Sequence, residues 1–364
     1  MHLFHDRQNR RSFLKQSSLI AGALALPGLR RQRSKSLGIA LVGLGYYSTD
    51  LLAPALMQTN HCHLAGIVTG SPEKIPVWQQ KYGIKSGNVY DYDNMTEMAN
   101  NDEIDVIYIV LPTGLHAKYA VLAANTGKHV WCEKPMARTI SECEAIIKAC
   151  ADNKVKLSIG YRVQHEPNTQ TIIEWSGTKP YGKITQINAQ AGYRESRADH
   201  WKMKKDMGGG AMYDMGVYPL NALRYASGME PVAVEAVQST TRPDLFQEVD
   251  EIMEFTLHFA NGTRGYGKTS FAEGMNELKI TCENGWYELR PFQAYNGVTG
   301  TTSDGRMLNK SIPNQQARQM DDDALAIIND TPVMVPGEEG LADIRIVEAI
   351  YSAAKSGKII ELPR

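Results

Sequence analysis

The stretch that decides the fold is residues 37–48, Leu-Gly-Ile-Ala-Leu-Val-Gly-Leu-Gly-Tyr-Tyr-Ser. Its first six residues form a compact apolar run, which predicts a buried parallel strand. The glycines that follow let the backbone turn tightly and approach a pyrophosphate, whose charge then meets the free amides of the next helix. A serine stands where a third glycine is usual. The residues predicted to surround a dinucleotide in this turn are Gly43, Gly45, Tyr46, Tyr47 and Ser48.

Outward from this turn, strands alternate with helices of about ten residues as far as residue 160, which predicts a parallel, doubly wound sheet. From about residue 183 strands follow one another with few helices between them, which predicts an antiparallel sheet. The predicted fold class is therefore α/β. An N-terminal Rossmann domain is followed by a C-terminal α+β domain that has a large, mostly antiparallel open sheet.

The pattern divides the chain into five predicted segments. They are a signal peptide (1–25), a short linker (26–36), a dinucleotide-binding Rossmann domain (37–160), a substrate-binding and oligomerisation domain (161–340), and a C-terminal helix and tail that packs back (341–364). Arg10 and Arg11 precede a mildly apolar stretch that contains an Ala-Leu-Ala cleavage site, which predicts export by the twin-arginine route to the periplasm. The alternative is the basic start of an amphipathic helix.

The composition excludes several classes of protein. The chain has 364 residues, of which 43% are hydrophobic and 22% charged, enough for two globular domains and too apolar for a disordered chain. A formal net charge of −1 provides no basic field for nucleic acid. No apolar run reaches the roughly 18 residues of a membrane span. Five scattered cysteines do not make a disulfide scaffold. His61 and His63 have no third ligand with which to form a metal site. The aspartates at 321–323 are predicted to be a solvated run of charges and not a cation site.

The end of the second strand indicates which dinucleotide binds. An NAD site usually places an acidic residue there to accept from the ribose hydroxyls. This chain has Val-Thr-Gly-Ser-Pro-Glu-Lys at 68–74, so that Ser71 and Lys74 can bind a ribose phosphate instead. Glu73 is the main objection, and a Lys74 that is merely a solvated helix charge is the alternative. The sequence favours NADP and leaves NAD possible.

A second group of residues suits proton transfer. Glu133 and Lys134 follow the fourth predicted strand, at the edge where α/β sheets bind ligands. Asp214 and Tyr218 lie four residues apart and share one face of a predicted helix, although Pro219 is expected to kink or weaken it. We expect the Lys134 ammonium to lower the pKa of the phenol by favouring the phenolate. The alternative is that Tyr218 is a half-buried aromatic and Asp214 a surface charge.

Several motifs, in order along both predicted domains, resemble those of one enzyme family. They are the glycine turn, Leu-Pro-Thr at 111–113 with His116, Gly-Lys-His-Val at 127–130, Cys-Glu-Lys-Pro-Met-Ala at 132–137, Ile-Gly-Tyr-Arg at 159–162, Gly-Gly-Gly at 208–210, Asp-Met-Gly-Val-Tyr at 214–218 and Pro-Gly-Glu-Glu-Gly at 336–340. The chain resembles the glucose-fructose oxidoreductase/inositol dehydrogenase family (Gfo/Idh/MocA) of pyridine-nucleotide sugar oxidoreductases, and within it the glucose-fructose oxidoreductase branch.

The resemblance implies roles for individual residues. Lys134 and Tyr218 would handle the proton of a sugar hydroxyl while hydride passes to or from the nicotinamide, and Asp214 would support them. Lys202 stands where the family pattern has an arginine, and the segment 26–36 is far shorter than the proline-rich arm of that branch. The remaining implied cofactor contacts are Ser71, Lys74, Tyr90, Leu111, Pro112, His116, Glu133, Lys134, Arg162, Trp201, Lys202 and Tyr295.

The expected function is that of an exported NADP-dependent oxidoreductase acting on a sugar or polyol. Two alternatives stay open: a glycoside hydrolase that uses transient oxidation at bound NAD, and a non-catalytic sugar-binding protein on the same fold. The open sheet is expected to pair with a second subunit in a homodimer or homotetramer. Neither a nucleic acid nor a membrane is an expected partner.

Overall fold

The computed structural model describes residues 36–363. The predicted signal peptide, the predicted linker up to residue 35 and the last residue of the tail lie outside the described residues. Two sheets organise the part that is described, one of six strands and one of nine. The predicted α/β class, with a Rossmann sheet and a second, mostly antiparallel sheet, is confirmed.

The six-stranded sheet is parallel throughout and has the order β3-β2-β1-β4-β5-β6. Its strands are β1 (Leu37–Val42), β2 (Cys62–Val68), β3 (Val89–Tyr90), β4 (Val106–Ile109), β5 (His129–Cys132) and β6 (Leu157–Ile159). Its helices are α1 (Ala53–Leu56), α2 (Ile75–Tyr82), α3 (Thr113–Asn125) and α4 (Ile140–Asp152). Every residue of β1 is buried, as expected for a central parallel strand that is covered on both faces.

The nine-stranded sheet has the order β14-β13-β12-β11-β7-β10-β9-β8-β15. Its strands are β7 (Ile184–Gly192), β8 (Pro231–Ser239), β9 (Ile252–Phe259), β10 (Arg264–Ser270), β11 (Met275–Cys282), β12 (Gly285–Leu289), β13 (Gly300–Thr302), β14 (Met307–Leu308) and β15 (Ile360–Glu361). Neighbouring strands are antiparallel except β7 and β10, which are parallel. Buried and exposed residues alternate along β9, so one face meets the core and the other meets solvent.

Four further helices lie later in the chain. They are α5 (Pro167–Thr178), α6 (Val217–Ser227), α7 (Gln315–Ile328) and α8 (Gly337–Ser356). The α6 helix packs on the inner face of the second sheet, whereas α7 places Met320 and Ala324 in the core of the Rossmann sheet. The backbone N–H of Ile159 in β6 donates to the carbonyl of Val335, just before α8. The chain therefore returns to its first sheet after it has completed the second.

The aspartate run on α7 is structural, and the prediction that it is solvated is wrong. The Asp321 carboxylate accepts from the backbone N–H groups of Asn60 and His61, which precede β2. Asp323 is fully buried and accepts from the Ser158 hydroxyl of β6 at 2.8 Å. These carboxylates face the first sheet because the apolar stripe of α7 packs there, and they satisfy polar groups that this contact removes from water.

Candidate active site

The glycine turn after β1 fits a dinucleotide. Gly43 has a φ of +94°, and a Cβ there would lie 2.5 Å from the carbonyl oxygen of Val110, so only glycine is accommodated. A Cβ on Gly45 would meet nothing within 4 Å, which leaves this part of the backbone open to a ligand. The buried Ser48 hydroxyl donates to the Gly43 carbonyl at 2.6 Å and closes the turn. A π-helical turn, Tyr47–Leu52, follows at once, so its first amides are free to meet a phosphate.

Residues 69–72, which directly follow β2, include no carboxylate. The Lys74 ammonium donates to the carbonyl of Leu44 at 2.8 Å, which holds its charge against the glycine turn. Ser71 is half-buried, and its backbone N–H donates to the Thr69 hydroxyl. Glu73 is exposed. A positive charge and a hydroxyl are therefore available where an adenosine ribose would rest.

Four other predicted cofactor contacts, Tyr90, Leu111, Pro112 and His116, lie at or near the carboxyl ends of β3 and β4. Tyr90 of β3 is buried, and its hydroxyl accepts from the Asn101 amide at 2.8 Å. His116 is also buried, with one ring nitrogen 2.7 Å from the carbonyl of Leu111 and the other 2.9 Å from that of Pro135. The imidazole thus joins the loops that follow β4 and β5. Pro112 is the residue that directly precedes α3.

Glu133 and Lys134 directly follow β5, at the edge of the sheet where the glycine turn lies. The Glu133 carboxylate is buried and accepts from the Tyr108 hydroxyl at 2.5 Å. Burial raises the pKa of this carboxyl to about 7, although the Tyr108 hydrogen bond and the Lys134 ammonium favour the charged form. The carboxylate also packs closely against Gly160, where a Cβ would lie 2.6 Å from its Oε1 atom. The Lys134–Pro135 peptide is cis.

The segment that carries Asp214 and Tyr218 begins as a π-helical turn, Met212–Gly216, and continues as α6. Pro219 follows the π-helical turn, and α6 continues past it to Ser227, so the proline does not end the helix. The Lys134 ammonium donates to the backbone carbonyl of Asp214 at 2.7 Å and lies 4.6 Å from the centroid of the Tyr218 ring. An ammonium from the first sheet and a phenol from the second are thus brought together.

The expectation that Lys134 lowers the pKa of Tyr218 is wrong. Tyr218 is almost completely buried, and burial raises the pKa of its phenol above the ordinary value. The opposing cation is Arg162, which favours the phenolate by its charge and by a hydrogen bond. Arg162, rather than Lys134, is therefore the cation that most favours the phenolate.

Arg162 connects the loops around the phenol. Its guanidinium is buried and donates to the carbonyl of Ala294 at 3.1 Å and to the side-chain oxygen of Gln315 at the start of α7. The same group lies 4.4 Å from the ring centroid of Tyr295, whose ring centroid is 6.1 Å from that of Tyr47 in the glycine turn. Arg162 and Tyr295 therefore lie between the glycine turn and Tyr218, as a contact with the cofactor would require.

Lys202 lies on the opposite side of Asp214. Its ammonium donates to the Oδ2 atom of Asp214 at 2.6 Å and to the hydroxyl of Tyr193 at 2.8 Å. Trp201 is half-buried and its ring centroid is 5.7 Å from that of His200. Sequence reasoning missed Tyr193, which directly follows β7 and has no distinguishing neighbour in the sequence.

The same loop carries an ion pair that the sequence did not reveal. The Glu195 carboxylate pairs with the Arg197 guanidinium at 2.5 Å. Hydrogen bonding to Arg197 lowers the pKa of Glu195 to about 2, against the effect of burial. Glu195 is also 3.1 Å from the Tyr193 hydroxyl. The loop that carries Trp201 and Lys202 thus contributes several polar side chains near Asp214.

Several other features of residues 36–363 bear on the chemistry. The five cysteines all lie in this range and are free and buried, and burial raises the pKa of each thiol. Within the same range no cluster of three metal-ligating side chains occurs. No helix among these residues combines the length and apolar character needed to cross a bilayer.

Comparison with known proteins agrees with this geometry. An aldose-aldose oxidoreductase from Caulobacter crescentus, solved as a complex with glycerol, is 34% identical; the alignment covers 90% of this chain and 100% of that one, with a TM-score of 0.87. A D-xylose 1-dehydrogenase [NADP(+)] from Haloarcula marismortui is 26% identical over 344 residues, 89% of this chain and 92% of its own. A D-glucoside 3-dehydrogenase from Escherichia coli is 24% identical over 354 residues, 90% of this chain and 98% of its own.

Two family models match successive parts of the chain. The model described as an oxidoreductase family with an NAD-binding Rossmann fold matches residues 37–161, and the GFO/IDH/MocA C-terminal domain matches residues 169–288. Together they cover more than half of the chain, and the enzymes that resemble it over most of its length act on the CH–OH groups of sugars. The chain therefore belongs to the Gfo/Idh/MocA family and is an NAD(P)-dependent oxidoreductase of CH–OH groups.

Proposed function

We propose that the protein is an exported, NADP-dependent oxidoreductase that transfers a hydride between the nicotinamide and a hydroxyl or carbonyl of a sugar or polyol. The observation that carries this proposal is the meeting of the Lys134 ammonium and the Tyr218 phenol between the two sheets. A dinucleotide held in the glycine turn would extend along the edge of the first sheet toward these groups. The substrate would enter from the side of Trp201 and Glu195.

The chain's own residues handle the proton of the substrate hydroxyl. When bound, the nicotinamide supplies the hydride chemistry. The Tyr218 oxygen, as phenolate, takes the hydroxyl proton while the C–H bond gives up its hydride and a C=O bond forms. Arg162 favours this phenolate, and the ammonium of Lys134, held by the Asp214 carbonyl, favours the developing alkoxide. Reduction of a carbonyl returns the proton from Tyr218.

The preference for NADP is supported by the charge at the ribose end of the turn. Lys74 is anchored at 2.8 Å on the carbonyl of Leu44, and the loop between β2 and Pro72 has no carboxylate to repel a phosphate. The xylose dehydrogenase that resembles this chain is named for NADP(+). A 2′-phosphate beside Ser71 and Lys74 would accept hydrogen bonds from both.

Export and assembly complete the proposal. The arginine pair at residues 10 and 11 supports export by the twin-arginine route to the periplasm, which carries proteins already folded. The outer face of the second sheet supports a homodimer or homotetramer, because it exposes Val237 and Tyr266 beside charged side chains. A fusion of residues 1–36 to a reporter, with both arginines changed to lysine as control, tests the route. Reporter activity that stays in the cytoplasm with the unaltered arginine pair would refute it.

One experiment tests the reaction directly. One sample of the purified protein is denatured, and any nucleotide that it releases is identified. A second, native sample is supplied with nucleotide and offered a panel of sugars, polyols and glycosides while the absorbance of the reduced nicotinamide is followed. We expect oxidation of at least one free sugar with NADP. Release of a free sugar from a glycoside, without net change in the nucleotide, would instead identify a glycoside hydrolase. Binding of sugar without turnover would identify a sugar-binding protein.

A further inference from the structure

The carboxylate of Asp214 lies between two ammonium groups that contact it differently. Lys202 donates directly to its Oδ2 atom at 2.6 Å, whereas Lys134 is 4.0 Å from Oδ1. The short contact of Lys134 is with the backbone carbonyl of the same residue, at 2.7 Å. Lys202, and not Lys134, is therefore the direct counter-ion of this carboxylate.

The position of Lys202 is built into the backbone. Lys202 belongs to a short turn, Trp201–Met203. Its backbone carbonyl accepts a hydrogen bond from the N–H of Gly210 at 2.9 Å. A Cβ on Gly209 would lie 2.3 Å from that carbonyl oxygen, so the turn can approach only a glycine. The Gly210 carbonyl in turn accepts from the N–H of Asp214. The triple-glycine segment thus fixes Lys202 against the first turn of the segment that carries Asp214.

Tyr193 completes the arrangement around the carboxylate. Its hydroxyl is 3.0 Å from the Oδ2 atom of Asp214 and accepts from the Lys202 ammonium at 2.8 Å. Burial, followed by the charges of Asp214 and Glu195, raises the pKa of Tyr193, which therefore stays protonated as a donor. The Oδ2 atom of Asp214 thus has two hydrogen-bond donors, Lys202 and Tyr193, without any contribution from Lys134.

The charges explain why this division matters. Burial opposes ionisation of Asp214, yet the Lys202 ammonium and then the Lys134 ammonium hold the pKa of the carboxyl below its usual value. Without Lys202, a buried carboxylate would keep only the more distant cation. It would then either bind a proton or draw Lys134 from its place beneath the Tyr218 ring to the Oδ1 atom.

We propose that Lys202 is a positioning residue of the oxidoreductase: as the direct counter-ion of Asp214, it leaves the Lys134 ammonium free to face the substrate hydroxyl beside Tyr218. This inference rests on the proposed function. It differs from the role that the family resemblance implies for Lys202, which is contact with the cofactor, and the two roles predict different kinetics.

The test compares three variants of the full-length protein. Lys202→Met removes the charge and keeps the length of the side chain, Lys202→Arg keeps the charge, and Lys205→Met removes an exposed ammonium from the same loop as a matched control. We expect Lys202→Met to lower kcat at least about tenfold, because Lys134 is misplaced, with little change in the Kd for NADP measured by calorimetry. The acid limb of its kcat/KM profile should move to higher pH. Lys202→Arg should recover most of kcat, and Lys205→Met should match the wild type.

Other kinetic outcomes would overturn the proposal. A weaker Kd for NADP with an unchanged kcat would make Lys202 a cofactor contact. An unchanged kcat and Kd would remove it from the site altogether. Circular dichroism and thermal melting of each variant establish that a loss of activity is not a loss of the fold.

A second measurement needs no substrate and separates this proposal from the proposed function. Carboxyl ¹³C NMR, with Asp214→Asn used for assignment, follows the titration of Asp214 in the wild type and in Lys202→Met. We expect the pKa of Asp214 to rise in the variant. If the wild type oxidises no sugar but this rise is seen, the proposed function fails and the ion pair stands. An unchanged pKa would overturn the pairing even in an active enzyme.

Discussion

Buried just after β6, the Arg162 guanidinium contacts the loop at Ala294, the start of α7 at Gln315 and the ring of Tyr295. It is also the cation that favours the Tyr218 phenolate. The sequence pointed to Arg162 only by family resemblance and as a cofactor contact. Its influence on the phenol depends on side chains more than 50 residues apart, which no local pattern reveals.

Removal of the phenol is expected to abolish most of the activity. Tyr218→Phe keeps the buried ring and its packing but takes away the proton acceptor, so kcat should fall by about 100-fold or more while the melting temperature changes little. Sugar oxidation by the wild type should increase toward alkaline pH, because burial raises the pKa of Tyr218 and oxidation needs the phenolate. Steady-state kinetics from pH 6 to pH 10 measure both effects.

The control for this change is Tyr266→Phe, which removes a phenol from the outer face of the second sheet. It should behave like the wild type. Turnover by Tyr218→Phe at the wild-type rate would contradict the assignment of the proton acceptor.

Loss of the Lys74 ammonium is expected to change the preference between the two nucleotides. Lys74→Met should weaken NADP binding at least about tenfold and leave NAD binding nearly unchanged, since only NADP carries the 2′-phosphate. Calorimetric Kd values for both nucleotides give this ratio. Lys81→Met, which removes an exposed charge from the following helix, serves as the control. Equal weakening for both nucleotides would mean that Lys74 supports the glycine turn and does not select the phosphate.

At the scale of elements, α7 shows how adjacent residues on one helix have opposite electrostatic effects. Burial raises the pKa of Asp323 to about 6. Asp322 is next to it, but hydrogen bonds from His165 and Arg318 lower its pKa in spite of burial. A carboxyl with a raised pKa in the folded state favours folding at low pH, and this contribution is lost as the pH rises from about 4 to about 6.

Asp323→Asn is therefore expected to be more stable than the wild type at pH 8. The amide keeps an acceptor for Ser158 and avoids a buried charge, so the gain in the free energy of unfolding should grow between pH 4 and pH 6 to about 2–3 kcal/mol and then stay constant. Urea unfolding at pH 4 and pH 8 measures the difference. Asp322→Asn is the matched control and should lose stability above pH 4. A gain for Asp323→Asn that does not depend on pH would contradict the burial of an ionised carboxylate.

The elements that the sequence predicted well are those with strong apolar patterns. The bounds of β1 agree with the six-residue apolar run that predicted this strand. The two-residue strand β3 and the polar helix α5 were missed, since neither has a hydrophobic period long enough to detect. Tyr193 and the Lys202–Asp214 pair were missed as a group because they meet only after β7 and α6 have packed together.

At the scale of the whole molecule, the surface that we propose for assembly is the solvent-facing side of the second sheet. Strand pairing places Val237 of β8 and Tyr266 of β10 on this same face. Around them lie ion pairs such as that between Lys268 and Glu254. A second subunit on this face would cover the apolar side chains and leave the charged ones to the polar rim of the interface.

A charge introduced on this face is expected to separate the subunits. Val237→Glu should reduce the mass measured by light scattering to that of one chain, because it buries an unpaired carboxylate in the proposed interface. Val77→Glu changes a valine of similar exposure on α2 and should leave the mass unchanged. A wild type that is monomeric at micromolar concentration would refute the proposed oligomer.

The return of the chain from the second sheet to the first has a practical consequence for protein engineering. A fragment that ends at residue 160 would contain all six parallel strands, but it would lack the Val335 partner of β6 and the α7 residues that fill the core beside β1. The apolar surface that α7 covers would be exposed to solvent, and the edge of β6 would be open to pairing with another chain. The nucleotide-binding half is thus not a transplantable module, and a chimera that exchanges substrate specificity must keep residues 315–335 with the parent of the first sheet.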